Sequence, residues 1–438
     1  MKNRKLIFML AACLMLLIVS LPLLSACGDS TGDTTTATTS TSDSKEGKTL
    51  KIGISTPSTG PAAGKGQPLE HGQKDAIEYI NSELGGVDGY QLEIVWRDNG
   101  YDAAQMSNIV RNFMDEGCLM FSTSSSAMMT AAMGLANQYG FAGLAAFSSP
   151  NLYRPPQHVY GQLPDYGDDF LAFMQYYLDN IWDGDGMPKV AIHALNNSTG
   201  KGAIDAARAF AAEMGIEILW DGAEGKAFEH TTKTISEIES LTRIKAMNPD
   251  VLYISSTPEP TALIVKNARE LGFDVTIASG HAGYTLKLLQ NAGSDAEGVY
   301  GVFPTVSWGD DVPGMAKLME YCEKNNPDDA GNGDYITGWA QSLIMAKIVE
   351  TAVKNAGYDA LAAGDEDAWA LLENEGIKKL SNYDVDGLHG PVSYTAGDNR
   401  LAKSVRVLVV KDGEFDALTG WIDAPVVKYE DYDWFGQK

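Results

Sequence analysis

Short apolar runs alternate along this chain with stretches in which apolar residues recur every three or four positions. The first complete unit spans Leu50 to Asp98. Lys51–Ser55 is short and apolar, as a parallel strand covered on both faces requires. Thr59-Gly60-Pro61-Ala62-Ala63-Gly64-Lys65-Gly66 is glycine-rich and reads as a loop. From Pro68, the residues Leu69, Ala76, Ile77, Ile80 and Leu84 fall at helical spacing. Gly85-Gly86 end that helix, and Leu92, Ile94 and Trp96 resume a strand. The pattern then predicts a helix over 103–116, a buried strand over 118–122, the serine run Ser122–Ser126, a helix to Tyr139 and a strand over 141–147. A short strand over 159–163 runs into Pro164-Asp165-Tyr166-Gly167.

From Asp168 the rhythm starts again. Helices are expected over 168–182, 203–214, 234–247, 260–271 and 285–292, separated by strands over 189–194, 217–220, 251–255, 275–279 and 299–303. In the 234–247 helix, Ile235, Ile238, Leu241 and Ile244 align. Three more helices follow, over 313–324, 335–355 and 366–379. Strands over 390–394 and 404–411 close the chain. Strand and helix in strict alternation define an α/β fold with parallel, doubly wound sheets. Two units of similar length and pattern imply two lobes of like architecture.

The ends and the composition add a compartment. Lys2, Arg4 and Lys5 precede an apolar run to Leu24, and Leu24-Ser25-Ala26-Cys27 resembles a bacterial lipobox. Residues 1–26 therefore read as a lipoprotein signal peptide, with Cys27 the lipidated residue. Residues 27–48 are Ser, Thr, Gly and Asp with almost nothing apolar, the composition of a disordered tether. The formal charge of −25 falls to about −28 once the signal's three cations leave, which argues against nucleic acid as a partner. Cys118 and Cys322 remain after processing; they can pair in an oxidising exterior, but their spacing does not demand it. No metal-ligand spacing and no cofactor motif occurs. The loop at Gly60–Gly66 is not a phosphate loop, because Gly66 replaces the required Ser or Thr.

Several segments, taken in order, resemble the type I periplasmic solute-binding proteins, specifically the leucine-binding-protein-like branch that serves branched-chain amino acid and amide ABC importers. The carriers are LKIGISTPSTGPAAGKGQPLEHGQKDAIEYIN, GGVDGYQLEIVWRDNGYD, NPDVLYISSTPEPTALIVKNARELG, SDAEGVYG and GPVSYTAGDNR. The resemblance implies two Rossmann-like lobes joined by a three-stranded hinge, a first of 49–164 plus 305–389 and a second of 165–304 plus 390–438. It places the crossings near Leu163–Tyr166, Phe303–Thr305 and Leu388–Pro391. It implies an extracytoplasmic, lipid-anchored monomer that traps a small molecule between the lobes and hands it to a permease and ATPase complex. A sensor acting with a separate signalling protein is the alternative. A surface enzyme is the weaker alternative, since the six histidines are scattered and no nucleophile elbow appears.

Carried onto this chain, the family's carboxylate site falls on Ser124, Ser125 and Ser126, then on Ala146, Ser148 and Ser149. Hydroxyls and free N–H groups at a helix N-terminus bind an anion without a matching cation; a polar turn that caps a helix uses the same residue types. Lys65 falls where relatives carry an aromatic residue over the ligand. Asp165 and Tyr166 sit at the first crossing, and Tyr153, Tyr284 and Trp308 are candidate aromatic walls. Thr199 and Thr257 stand where relatives place tyrosines, and His281 where an acid meets the ligand's ammonium. Imidazole does not replace that carboxylate as the partner of an ammonium, which argues against an amino acid and leaves a carboxylate or neutral polar ligand open. The resemblance keeps the expected class at a small polar or carboxylate-bearing molecule: an amino acid, an amide or an organic acid.

Overall fold

The computed structural model describes residues 45–435. The expected signal peptide, Cys27 and most of the expected tether lie outside the described residues. Among those described, no helix is long and apolar enough to cross a membrane.

The first sheet is built from β1 (Thr49–Thr56), β2 (Gln91–Asp98), β3 (Cys118–Thr123), β4 (Gly143–Ala145) and β5 (Val159–Gly161), ordered β2-β1-β3-β4-β5. Every pairing in it is parallel. Helices α1 (Ala63–Ser82), α2 (Met106–Asp115) and α3 (Ser126–Tyr139) connect the first four strands. The chain then enters a second parallel array. There, α4 (Tyr166–Asn180), β6 (Lys189–Leu195), α5 (Ser198–Met214), β7 (Glu217–Leu219), β8 (Phe228–His230), α6 (Ile238–Ala246), β9 (Val251–Ser255), α7 (Pro258–Glu270), β10 (Thr276–Ser279), α8 (Leu286–Ala292) and β11 (Tyr300–Phe303) follow in order. After β11 the chain returns to cover the first sheet with α9 (Met315–Asn325), α10 (Gly333–Ala356), α11 (Tyr358–Leu361) and α12 (Glu366–Glu375). It ends in β12 (Ser404–Lys411), β13 (Glu414–Ala417) and β14 (Ile422–Asp423), which extend the second sheet antiparallel beyond β11. The α/β fold with parallel sheets expected from the alternation is the one observed.

Several boundaries differ from the pattern for local reasons. The expected loop at 59–66 is mostly helical: a 3₁₀ turn at Gly60–Ala62 runs straight into α1 at Ala63. Only Gly60 there needs a left-handed conformation, at φ +79°. Gly66 is helical, and its missing side chain admits the Pro57 carbonyl, which a Cβ would meet at 2.2 Å. Glycine serves close packing here rather than flexibility. The helix expected from Thr234 starts only at Ile238, leaving Ile235 91% exposed. Asn267 Oδ1 accepts from the Glu237 N–H, and Thr234 folds back on Thr231, so the preceding turn is held outside the helix. The expected strand at 390–394 is absent. Its backbone bonds instead to three separate partners: Val392 N–H donates to Tyr383, Ser393 N–H to Leu401 and Tyr394 N–H to Leu380. Cys118 and Cys322 are buried free thiols.

Helices α1 and α10 pack at glycines. A Cβ on Gly338 would lie 2.0 Å from the Leu69 carbonyl oxygen, and one on Gly72 would lie 2.2 Å from that of Tyr335. This backbone-to-backbone approach buries Leu69, Ile77, Ile80, Ile336 and Trp339. It also brings Lys65, near the start of α1, beside Asp334, near the start of α10.

Candidate ligand-binding site

A cavity lies where the loops after β1, β3 and β4 face those after β6 and β9. Its wall includes Pro61, Ala62 and Lys65 from the start of α1, Ser124 and Ser125 before α3, and Tyr166 opening α4. Thr199 in the first turn of α5 and Thr257, Pro258 and Glu259 at the start of α7 complete the polar side. Five helix N-terminal turns thus converge on one space. Helix N-termini carry partial positive charge that favours a negative guest. Ser125 and Asn197 cap one N–H each at α3 and α5, Asp165 caps α4, and Glu259 adds a carboxylate at the start of α7. Tyr101, Phe147, Tyr166, Pro57 and Ala282 supply an apolar wall. The free space is about 40 Å³, room for roughly three water molecules. A larger guest therefore enters only as side chains or the two halves part.

The two halves touch across this space. Ser126 Oγ is 3.2 Å from Ser198 Oγ and 3.4 Å from Thr199 Oγ1, and Ser149 Oγ donates to the Ser198 carbonyl. These contacts occupy Ser126 and Ser149 as cross-cleft fasteners; neither faces the cavity. Ser125 is the N-cap of α3, its Oγ accepting from the Ala127 N–H at 3.2 Å, and it lines the cavity at the same time. Ser148 is fully buried with an unpartnered hydroxyl, and Ala146 packs with Leu69, Phe147, Leu163 and Tyr166.

The charged residues near the cavity are mostly neutralised by one another. Lys65 Nζ pairs with Asp334 Oδ1 at 2.5 Å and lies 4.0 Å from the Phe147 ring centroid. Burial pushes the Asp334 carboxyl up, and Lys65 opposes that shift. Beneath the aromatic wall, the ring of His281 lies 5.2 Å from those of both Phe147 and Tyr166. The backbone N–H of His281 donates to Asp169 Oδ2 at 3.0 Å and its ring Nδ1 lies 2.7 Å from the same oxygen. Burial raises the Asp169 carboxyl and His281 opposes the rise. Asp165 does not reach the cavity either. It is the N-cap of α4, accepting from the Gly167 and Asp168 N–H groups. Arg400, just before β12, bonds Asp168 Oδ1 at 2.6 Å and Asp398 Oδ2 at 2.8 Å, while its backbone bridges to Gly161.

The structure thus gathers Lys65, Ser124, Ser125, Tyr166, Thr199 and Thr257 around the cavity. It sets Ser126, Ala146, Ser148, Ser149, Asp165 and His281 behind or beside it. The aromatic residues considered from sequence lie elsewhere: Tyr153 is core, Tyr284 packs on Phe415 and Trp308 on Tyr335. Sequence reasoning missed Tyr101, Phe147 and Glu259. Phe147 adjoins Ala146 and Ser148 at a strand end, the one signal that marked it.

Two α/β sheets facing across a cleft, with helix N-termini and hydroxyls turned inward, define a solute-binding architecture. The chain belongs to the periplasmic binding protein family, whose profile matches residues 49–414. It is similar to an amino acid binding protein of Pseudomonas aeruginosa, 25% identical over 251 residues, covering 55% of this chain and 63% of that relative. It is also similar to the Leu/Ile/Val-binding protein homolog 2 of Brucella abortus, 22% identical over 285 residues, with 64% and 69% of the two chains covered. Among solved structures, a branched-chain amino acid ABC transporter protein from Thermus thermophilus with bound valine superposes with a TM-score of 0.75. It shares 19% identity, with 86% of this chain and 97% of that one covered. A fatty acid ABC transporter substrate-binding protein from Thermomonospora curvata gives 0.73 at 20% identity, covering 88% and 94%.

Proposed function

We propose that this chain is the extracytoplasmic solute-binding lipoprotein of an ABC importer, tethered through Cys27, that delivers its ligand to a permease and ATPase complex. The ligand is a small molecule with a carboxylate head and an apolar body. The observation that carries this reading is the convergence of five helix N-terminal turns and the hydroxyls of Ser124, Ser125, Thr199 and Thr257 opposite an aromatic wall. Pockets of this kind hold most of a ligand by apolar contact and orient it with a few polar groups. Relatives that bind amino acids and fatty acids share a carboxylate in their cargo. The lobes of the proposal are 49–164 plus 305–402, and 165–304 plus 403–438. The last boundary is drawn after Ala402, not near Leu388–Pro391, because Val392, Leu401 and Ala402 are buried with the first sheet's core. Hinge closure of the two lobes traps the ligand.

Thermal unfolding in the presence of matched acids and amides of the same carbon skeleton tests this. The expected result is a melting temperature that rises with concentration for some acids and not for their amides, as mass action requires of a ligand that binds only the folded state. Stabilisation by amides and not by acids, or by neither at millimolar concentration, overturns the carboxylate assignment. Ser124→Ala should weaken the binding of the hit; because Ser124 is buried, the melting temperature of the free variant is measured alongside, to separate lost binding from lost stability.

A further inference from the structure

Behind the pocket wall, in the second sheet, three metal-ligating side chains meet in the interior. β8 pairs with β6 in parallel, with Leu195 opposite His230 and His193 opposite Phe228. That register sets the two imidazoles against each other, Nδ1 to Nδ1 at 2.9 Å. Glu237, directly before α6, brings its Oε2 to 3.2 Å from His193 Nε2. The three residues are 0%, 4% and 5% exposed. One nitrogen of each ring and one Glu237 oxygen all lie within 4.8 Å of one another.

We propose that His193, His230 and Glu237 form a binding site for a divalent cation of the zinc class. A tetrahedral zinc ion with bonds of about 2.0–2.2 Å sets its ligand atoms roughly 3.3 Å apart. With His193 ligating through Nε2, its 3.2 Å contact with Glu237 Oε2 is already near that spacing, while the 2.9 Å contact of the two rings uses the other nitrogen of His193. The two edges to a nitrogen of His230, within 4.8 Å in the structure, close by a shift of that ring and of Glu237, whose Oε1 has no hydrogen-bond partner to lose. A two-imidazole, one-carboxylate set suits zinc better than magnesium or calcium, which favour oxygen ligands alone. The outer nitrogen of His230 lies 2.6 Å from Ser256 Oγ, the kind of outer contact that fixes the orientation of a ligating histidine.

The competing arrangement is a metal-free hydrogen-bond chain. In it the Ser256 hydroxyl donates to His230 Nε2, His230 Nδ1–H to His193 Nδ1, and His193 Nε2–H to Glu237. The last link of that chain is missing: His193 Nε2 makes no hydrogen bond, although Glu237 is within reach. A cation fills this gap where a proton does not.

Position gives the site a consequence. Thr232, two residues after His230, and Thr257, next to Ser256, both line the ligand cavity. An ion here ties the segment from His230 to Glu237 to the sheet and braces that part of the wall. The site itself does not depend on which ligand the cavity holds.

The full chain, stripped with a chelator and dialysed, is titrated with Zn²⁺ by calorimetry and with Co²⁺ by visible absorption. One equivalent of zinc is expected, together with the intense visible bands of four-coordinate cobalt. His193→Gln and Glu237→Gln should each weaken binding at least 100-fold. His71→Gln, which removes a histidine paired with Asp329 elsewhere, should leave it unchanged. Absence of stoichiometric zinc uptake by the unsubstituted chain overturns the proposal, and that arm stands even where a variant fails to fold. Uptake retained in both His193→Gln and Glu237→Gln overturns it equally, by placing the ion elsewhere.

Discussion

Replacing Gly338 by alanine adds one methyl group, and its effect follows from the backbone contact between α1 and α10. The new Cβ would stand 2.0 Å from the Leu69 carbonyl oxygen and 2.8 Å from its carbon. An ordinary contact begins near 3.4 Å, so the two helices must part by about 1.4 Å at this point, or their backbones must bend. Neither partner is a flexible side chain. A gap of that size forfeits half or more of the dispersion energy of the atoms lining it, here those of Leu69, Ile77, Ile80, Ile336 and Trp339. Overpacking usually costs about 1–3 kcal/mol, and the rigid partners place Gly338→Ala near the upper end, about 3 kcal/mol. Urea unfolding measures it as a lower midpoint at unchanged slope. Gly134→Ala is the control: it is the same chemical change, within α3, with nothing inside 4 Å of the new methyl. There the helix gains up to about 1 kcal/mol from the exchange. A loss below about 0.5 kcal/mol in Gly338→Ala would refute the argument. So would equal effects of the two substitutions.

Three further outcomes follow. His281→Ala strips the buried Asp169 carboxylate of its imidazole and should cost about 3 kcal/mol or more in unfolding free energy; a loss under 1 kcal/mol would mean that the carboxyl is already neutral. Burial raises the Asp398 carboxyl, but the Arg400 hydrogen bonds and charge outweigh it and bring it down to about 2 from 3.8. A carboxyl depressed in the folded state adds stability above its unfolded value and loses it as pH falls, so about 2 kcal/mol should vanish between pH 4 and 2. Asp398→Asn should lack that portion of the acid dependence in denaturation measured across this window. Ser125→Ala removes the N-cap of α3 and should cost about 1 kcal/mol, with Ser125→Gly restoring most of it in the same assay.

The strand and helix order was legible because each core-facing position is apolar at the right period, as Ile109, Val110 and Phe113 in α2 and the fully buried β3 show. What escaped was decided by partners far along the chain. Ile235 fits the helical stripe, yet Asn267, thirty residues beyond Glu237, holds the Glu237 N–H and the helix begins later. β8 is three residues long and exists because β6 offers it an edge. At the candidate site, serines before a helix were readable as caps or anion donors because both roles use the same hydroxyl, and Ser125 holds both positions at once. Phe147, Tyr101 and Glu259 were not readable, since a side chain on a loop gains its role only when the opposite half of the molecule arrives. Lys65 drew attention as a cation. Its charge is spent on Asp334, 269 positions away.

The five converging helix ends give the cavity an attraction for anions that is built from backbone dipoles. Such charge is fixed, lies within the protein and has no counter-ion atmosphere to shed. Where capture relies on exposed lysines or arginines, dissolved salt competes for the same field within a Debye length of about 8–10 Å. Here the whole chain carries a formal net charge of −25 and repels anions at a distance, while the attraction acts only inside the cleft. The equilibrium affinity should therefore hold nearly constant from fresh to saline surroundings. The rates should respond instead, association quickening as salt screens the acidic exterior and dissociation quickening in step with it.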